Sequence, residues 1–111
     1  MTRLALSFLA LFAISFSLAA NTQKQPGEDI QKDNYYPMVK FETSLGDLVI
    51  ELNRRRAPVT VNNFLNYVVR GEFDNTLFHR VVTGYIVQGG GYAPEYKEKK
   101  AGRTIINESG N

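Results

Sequence analysis

The sequence contains no cysteine and only one histidine among its 111 residues. The absence of cysteine excludes a disulfide scaffold, a thiolate zinc site, a cysteine nucleophile and a lipid-modified cysteine. A single histidine argues against a metal site built from several imidazoles, and we expect neither a metal nor a cofactor. The formal net charge of +2 is too small to indicate nucleic acid as a partner.

The length permits one small domain at most. A content of 43% hydrophobic and 22% charged residues is ordinary for a globular protein. This composition excludes a collagen-like, a disordered or a multi-pass membrane chain.

The first twenty residues differ from the rest of the chain. Arg3 gives a positive start, and an apolar stretch over 4–18 is followed by small residues at 19–20. This order is typical of a cleavable secretory signal peptide over 1–20. An uncleaved membrane anchor is the alternative, but the stretch is short for a span of about 20 residues. We therefore predict export to the bacterial periplasm, with no stable membrane association after cleavage.

Residues 21–37 are polar and include Pro26 and Gly27. Such a composition predicts a flexible linker between the signal peptide and the domain. The folded domain is then expected over 38–111.

Two hairpins and a helix are predicted within that domain. Apolar and polar residues alternate over 38–52 around a turn with Gly46, which indicates a hairpin. The three arginines at 54–56 are interpreted as a solvated loop. A helix should begin near Pro58 and end at Gly71. One apolar face at helical spacing supports it, made of Val61, Phe64, Leu65 and Val68.

Strand-like segments over 76–82 and 85–88 predict the second hairpin. The segment 92–102 is expected to be a loop, and 104–106 to start another strand.

The run over 78–90 holds the unusual residues of the chain. Arg80 lies among apolar residues of one predicted strand, and Gln88 among those of the next. A loop over 82–84 would place Arg80 opposite Ile86, with Gln88 as its diagonal neighbour about 7–8 Å away on the same face. A two-residue loop would break that pairing. The strand pattern alone favours an outward-facing structural charge over a functional arginine, and both interpretations stay open at this point.

Two neighbouring features allow weaker hypotheses. His79 could act as a general base, but a lone histidine beside apolar residues is more often a hydrogen-bonded structural residue. The glycines at 89–91 lack the spacing of a phosphate-binding loop. They indicate either a bend of the backbone or the close approach of a ligand.

The run FHRVVTGYIVQGG over 78–90 closely resembles the signature of the cyclophilin-type peptidyl-prolyl isomerases. Segment 39–52 is similar to the first hairpin of that family, 57–67 to its first helix, and 103–108 to the segment before its next strand. The resemblance implies a closed eight-stranded antiparallel barrel capped by two helices, of which this chain covers roughly the N-terminal half. We therefore expect a mainly β fold with one or two helices and an incomplete isomerase domain over 38–111.

The resemblance also implies site residues. Arg80 matches the catalytic arginine of the family, and Gln88 matches its substrate-orienting glutamine. Tyr85 stands where the family usually has phenylalanine in the proline pocket, and Ile86 where it usually has methionine. Both changes keep an apolar wall and can alter substrate preference or inhibitor affinity.

The implied function is cofactor-free isomerisation of X–Pro bonds during the folding of exported proteins. The expected partners are proline-containing peptides and unfolded exported proteins, with cyclosporin-type compounds as candidate inhibitors and a monomer as the expected state. Two alternatives stay open. The chain could be a proline-directed binding module or holdase without turnover, or an inert remnant, because half a barrel exposes strand edges and lacks part of its pocket.

Overall fold

The computed structural model describes residues 27–110. Over that range the chain forms three antiparallel strand pairs, one α-helix and one short 3-10 turn. The strands are β1 Met38–Thr43, β2 Gly46–Glu51, β3 Phe78–Val82, β4 Ile86–Gly89, β5 Tyr92–Ala93 and β6 Lys97–Glu98; the helix is α1 Pro58–Val69 and the 3-10 turn is Pro94–Tyr96. The predicted fold class, mainly β with a helix, is confirmed. The three described strand pairs remain separate sheets and do not close into a barrel.

The first hairpin pairs β1 with β2 from Met38↔Glu51 to Thr43↔Gly46, as the alternating sequence predicts. Its turn is tied by the hydroxyl of Thr43, which donates to the Gly46 carbonyl at 2.6 Å and accepts from the Leu45 amide at 3.2 Å. Gly46 has a φ of +122°, a backbone conformation that a side chain disfavours. The turn between β1 and β2 is therefore closed by a side-chain hydroxyl and a glycine.

Helix α1 buries the predicted apolar face. Val61 and Leu65 are buried together with Val39 of β1, and Phe64 and Val68 pack against them. Gly71, with a φ of +67°, follows the end of the helix as predicted. No helix within the described range is long and apolar enough to cross a membrane.

The N-terminus of α1 is capped by a residue that lies far along the chain. Ala57 stands at the N-cap position and offers no side-chain acceptor. The carboxylate of Glu108 accepts instead from the amides of Val59 at 3.1 Å and Thr60 at 2.8 Å, and from the Thr60 hydroxyl at 2.7 Å. Partial desolvation would raise the pKa of Glu108, but the bonds from Thr60 and Val59 together lower it below the ordinary value of 4.5. The contact fixes the segment after residue 100 onto the helix.

We expect Glu108→Gln to weaken this attachment at neutral pH, because the amide keeps an acceptor oxygen but loses the charge that favours a helix N-terminus. A lowered pKa in the folded state means that Glu108 contributes stability above pH 4.5 and that this contribution disappears as the pH falls through the lowered value. The difference in amide exchange at Thr60 between wild type and Glu108→Gln should therefore close in acid. Equal exchange in the two proteins at neutral pH would contradict the prediction.

Residues 27–37, predicted to be linker, make specific contacts with the domain. The side chain of Arg54 is only 7% exposed. Its guanidinium donates to three main-chain carbonyls of this segment, those of Ile30 at 2.6 Å, Gln31 at 2.5 Å and Asn34 at 3.0 Å. The interpretation of residues 54–56 as a solvated loop is thus wrong for Arg54. The sequence concealed the contact because its acceptors are backbone groups, which every residue carries.

The same segment is joined to the loop that follows β2 by backbone hydrogen bonds. The amide of Leu52 donates to the Pro37 carbonyl at 2.8 Å, and the amide of Arg54 to the Tyr35 carbonyl at 3.0 Å. Pro37 is fully buried. We call residues 27–37 the N-terminal strap.

The second hairpin forms as predicted, but its loop differs by one residue. The loop covers 83–85 rather than 82–84, because the Tyr85 amide donates to the Val82 carbonyl at 3.0 Å and closes a turn there. Gly84, with a φ of +71°, occupies the third position of this turn, where a type II turn needs a positive φ. Tyr85 consequently lies in the turn and not in the strand where the sequence pattern had placed it.

The segment after the second hairpin departs from expectation in two ways. The predicted loop over 92–102 contains the short pair β5–β6, with Tyr92 opposite Glu98. The predicted strand at 104–106 is not formed, and Ile105 and Ile106 are exposed. A strand needs a partner ladder, and the described chain offers none beside 104–106.

Candidate functional site

The β3–β4 hairpin brings together the residues that the sequence singled out. Arg80 lies directly opposite Gln88. Two positions closer to the turn, Val82 lies opposite Ile86. Because side chains alternate across a strand, these four residues share one face. Because the loop covers 83–85, Arg80 and Gln88 are direct cross-strand neighbours and not the diagonal pair that a loop over 82–84 would give. Direct neighbours have Cβ atoms only about 4.5–5.5 Å apart.

The charge of this face comes from Arg80, the one charged residue in the segment 78–89. Arg80 and Gln88 are both exposed, and within the described residues neither side chain is engaged in an ion pair. A guanidinium donates hydrogen bonds and does not give up its proton, so Arg80 cannot serve as an acid or base. The pair can instead present fixed donors and one amide acceptor to a ligand.

The apolar candidate residues lie at and beside the turn. Ile86 is partly buried at the start of β4, whereas Tyr85 in the loop is 78% exposed. The hairpin therefore places a polar pair and an apolar end within a few residues of each other. An extended peptide with one apolar ring could contact both.

A groove of about 880 Å³ lies on another side of the hairpin. We call it the aromatic groove, after the rings of Phe41, Phe64, Phe73 and Phe78 that line it. The rings form a continuous row, with centroids 6.4 Å apart for Phe41–Phe78 and Phe41–Phe64 and 5.2 Å for Phe64–Phe73. None of the four predicted site residues lines this groove.

The glycine run explains how two of these rings approach the backbone. A Cβ on Gly89 would lie 2.6 Å from the ring of Phe78, and one on Gly90 would lie 2.9 Å from the ring of Phe73. Gly90 also has a φ of +87°. The sequence allowed two interpretations of these glycines, a bend of the backbone or the close approach of a ligand. In the structure, the groups that approach the glycine backbone closely are phenylalanine rings of the chain itself.

Within residues 27–110 the side chain of His79 has no hydrogen-bond partner and is not part of a cluster of metal-binding groups. Its ring lies edge-on to Tyr92, with centroids 4.6 Å apart, and its Nδ1 is buried without a partner among the described residues. Within the same range no group of three or more acidic or histidine side chains is arranged to hold a metal ion. The contact with Tyr92 was not predictable from the local sequence pattern, because nothing in that pattern pairs Tyr92 with His79.

Comparison with known proteins extends these observations. A family model described as "Cyclophilin type peptidyl-prolyl cis-trans isomerase/CLD" matches residues 38–111. Peptidyl-prolyl cis-trans isomerase B of Escherichia coli (strain K12) is 47% identical over 74 residues, which cover 67% of this chain and 45% of that protein. Peptidyl-prolyl cis-trans isomerase cyp18 of Streptomyces antibioticus is 47% identical over 73 residues, covering 66% and 44% of the two chains. The chain spans less than half the length of these two relatives.

Proposed function

This chain belongs to the family of cyclophilin-type peptidyl-prolyl cis-trans isomerases, and on that premise we propose that its β3–β4 hairpin accelerates rotation about X–Pro peptide bonds. The observation that supports the proposal is the direct pairing of Arg80 with Gln88 on an exposed face beside Ile86. A donor pair next to an apolar surface suits a peptide that carries a proline ring.

The chemistry needs no nucleophile or redox group, because no covalent bond is made or broken. Rotation about the peptide bond meets a barrier of about 18–20 kcal/mol, which resonance between the nitrogen and the carbonyl creates. In the twisted state the nitrogen lone pair is no longer delocalised. A donor placed near that nitrogen or its neighbouring carbonyl stabilises the twisted state more than the planar one, and only such a difference accelerates the reaction.

Each of the four candidate residues has a distinct proposed role. Arg80 donates a hydrogen bond to the twisted X–Pro peptide bond. Gln88 orients both Arg80 and the substrate backbone. Tyr85 and Ile86 contact the pyrrolidine ring, so that one side of the bond is held while the other turns. The phenol of Tyr85 adds a polar edge to this contact, which favours substrates with an acceptor near the proline.

The proposed substrates are proline-containing segments of unfolded exported proteins, met in the bacterial periplasm by a monomer. The predicted signal peptide over 1–20 and residues 21–26 lie outside the described part of the chain. Relatives from bacteria are compatible with this location. Cyclosporin-type compounds would compete with peptide for the same apolar end of the hairpin.

The test is two-dimensional exchange NMR on an Ala-Pro peptide with and without the full chain. We expect cross-peaks between the cis and trans forms at mixing times far shorter than the tens to hundreds of seconds of the free peptide. Shifts of hairpin amides with no faster exchange would indicate a binding module without turnover. Neither shifts nor exchange would mean that this chain is inert on its own, and would overturn the proposal.

A further inference from the structure

Strand β3 carries a bulge immediately before the proposed catalytic arginine. Phe78 pairs with Gly89 and Arg80 pairs with Gln88, so His79 is one extra residue that faces no partner. A bulge of this kind bends its strand, increases the local twist and changes the direction of the adjacent side chains.

The bulge decides which residue reaches the aromatic groove. In an uninterrupted ladder His79 would stand opposite Gly89, on the face of Val81. With the bulge, Phe78 takes the position opposite Gly89, and its ring lies 6.4 Å from that of Phe41. His79 is displaced toward β5, where it meets Tyr92.

Tyr92 is held against the start of β3 by its backbone as well. The amide of Leu77 donates to the Tyr92 carbonyl at 2.8 Å, and the amide of Gly90 donates to the Leu77 carbonyl at 3.2 Å. The rings of His79 and Tyr92 are therefore in contact next to a backbone hydrogen bond that already joins Leu77 to Tyr92. An edge-to-face pair of this kind contributes beyond the area that it buries.

The imidazole nitrogens do not explain the position of His79. Its Nδ1 is buried and has no hydrogen-bond partner among residues 27–110. The contact visible in the structure is the ring itself, against Tyr92.

We propose that His79 is a positioning residue, whose ring contact with Tyr92 holds the bulge and thereby fixes the direction in which Arg80 leaves the strand. The catalytic consequence rests on the proposed isomerase function, whereas the geometric consequence does not. Tyr92 supplies the other ring of this contact, although it lies outside the β3–β4 hairpin.

The experiment compares His79→Leu, which keeps bulk but removes the ring, with His79→Phe, which keeps a ring but removes both nitrogens. In the full chain, His79→Leu should shift the Nε–H resonance of Arg80 and speed amide exchange at Val81. It should also lower kcat about two- to tenfold, the effect expected from losing one aromatic pair, with KM little changed. His79→Phe should leave the Arg80 resonance, the Val81 exchange rate and kcat close to their wild-type values. Tyr92→Leu should change all three in the same direction as His79→Leu.

Amide protection in α1 provides the control for folding, because Leu65 is 3% exposed and belongs to a core cluster with Val39 and Val61 that contains neither His79 nor Tyr92. If α1 stays protected and His79→Leu leaves the Arg80 resonance at its wild-type position, the proposal is wrong. It is also wrong if His79→Phe behaves like His79→Leu, since an imidazole nitrogen would then be required. If His79→Leu fails to fold, Tyr92→Leu tests the same contact by removing the other ring, with the same three measurements.

The two hypotheses fail separately. A wild-type chain without isomerase activity would overturn the proposed function, while the Arg80 resonance in the His79 variants would still decide the positioning role.

Discussion

Arg80→Ala is expected to lower kcat/KM for X–Pro isomerisation by about one to two orders of magnitude and to leave the fold intact. A hydrogen bond from a charged donor is worth about 1.5–3 kcal/mol, and each 1.36 kcal/mol corresponds to tenfold in rate. The loss should fall mainly on kcat, because the guanidinium acts on the twisted bond more than on the planar one. Stability should change little, since Arg80 is exposed and its loss leaves no buried group without a partner.

The matched control is Arg103→Ala, which removes the same charge from an exposed residue outside the hairpin. Exchange NMR on one peptide, with all variants at equal concentration, measures both effects. Arg80→Lys separates charge from geometry, because an ammonium lacks the planar fork of donors that a guanidinium presents. Arg80→Ala with the turnover of wild type, or Arg103→Ala with a loss of the same size, would remove Arg80 from the mechanism.

The elements with strong local patterns were predictable from the sequence. The first hairpin alternates apolar and polar residues around a glycine, and α1 has proline at its start, four apolar residues on one face and glycine just after its end. Each of these signals acts over a few residues and agrees with the packing that the structure shows. The prediction of a strand at 104–106 was wrong for the opposite reason, because strand formation depends on a partner strand that local composition does not reveal.

The candidate site residues could be named from the sequence, but their relative geometry could not. The motif predicts Arg80, Gln88, Tyr85 and Ile86 as site residues, and the structure places all four on one hairpin. The register depended on whether Val82 or Tyr85 belongs to the loop, a choice that one backbone hydrogen bond decides. His79 at the bulge contacts Tyr92, thirteen positions further on, and a period-2 pattern does not predict a contact at that separation.

The N-terminal strap shows the same limit more strongly. Its composition is that of a linker, and the family match begins only at residue 38. The strap is nevertheless joined to the domain by the most buried charged side chain that the structure describes, that of Arg54. A charge at such a site is tolerated only with hydrogen-bond partners, and the strap carbonyls supply them to Nη1 and Nη2 of Arg54.

Arg54→Met is therefore expected to release the strap. Methionine matches the length of the arginine stem but cannot donate, so the carbonyls of Ile30, Gln31 and Asn34 would lose their shared donor. Hydrogen bonds from a charged group contribute about 1.5–3 kcal/mol, and we expect the free energy of undocking the strap to fall by about that amount. In the full chain, trypsin should then cut after the exposed Lys32 roughly ten- to a hundredfold faster than in wild type, provided that opening is fast relative to cleavage.

Arg55→Met is the matched control for this experiment, because it removes the neighbouring charge and one tryptic site in the same way. Arg55 is exposed, and its guanidinium lies 5.9 Å from the centre of the Tyr35 ring, a contact worth about 0.5–1 kcal/mol at an exposed position. Cleavage after Lys32 should thus rise only about two- to fivefold. Equal cleavage rates in the two variants would show that the buried guanidinium does not hold the strap. A large difference between them would extend the folded unit of this chain upstream of the family domain, because the donor lies inside that domain and its acceptors lie before it.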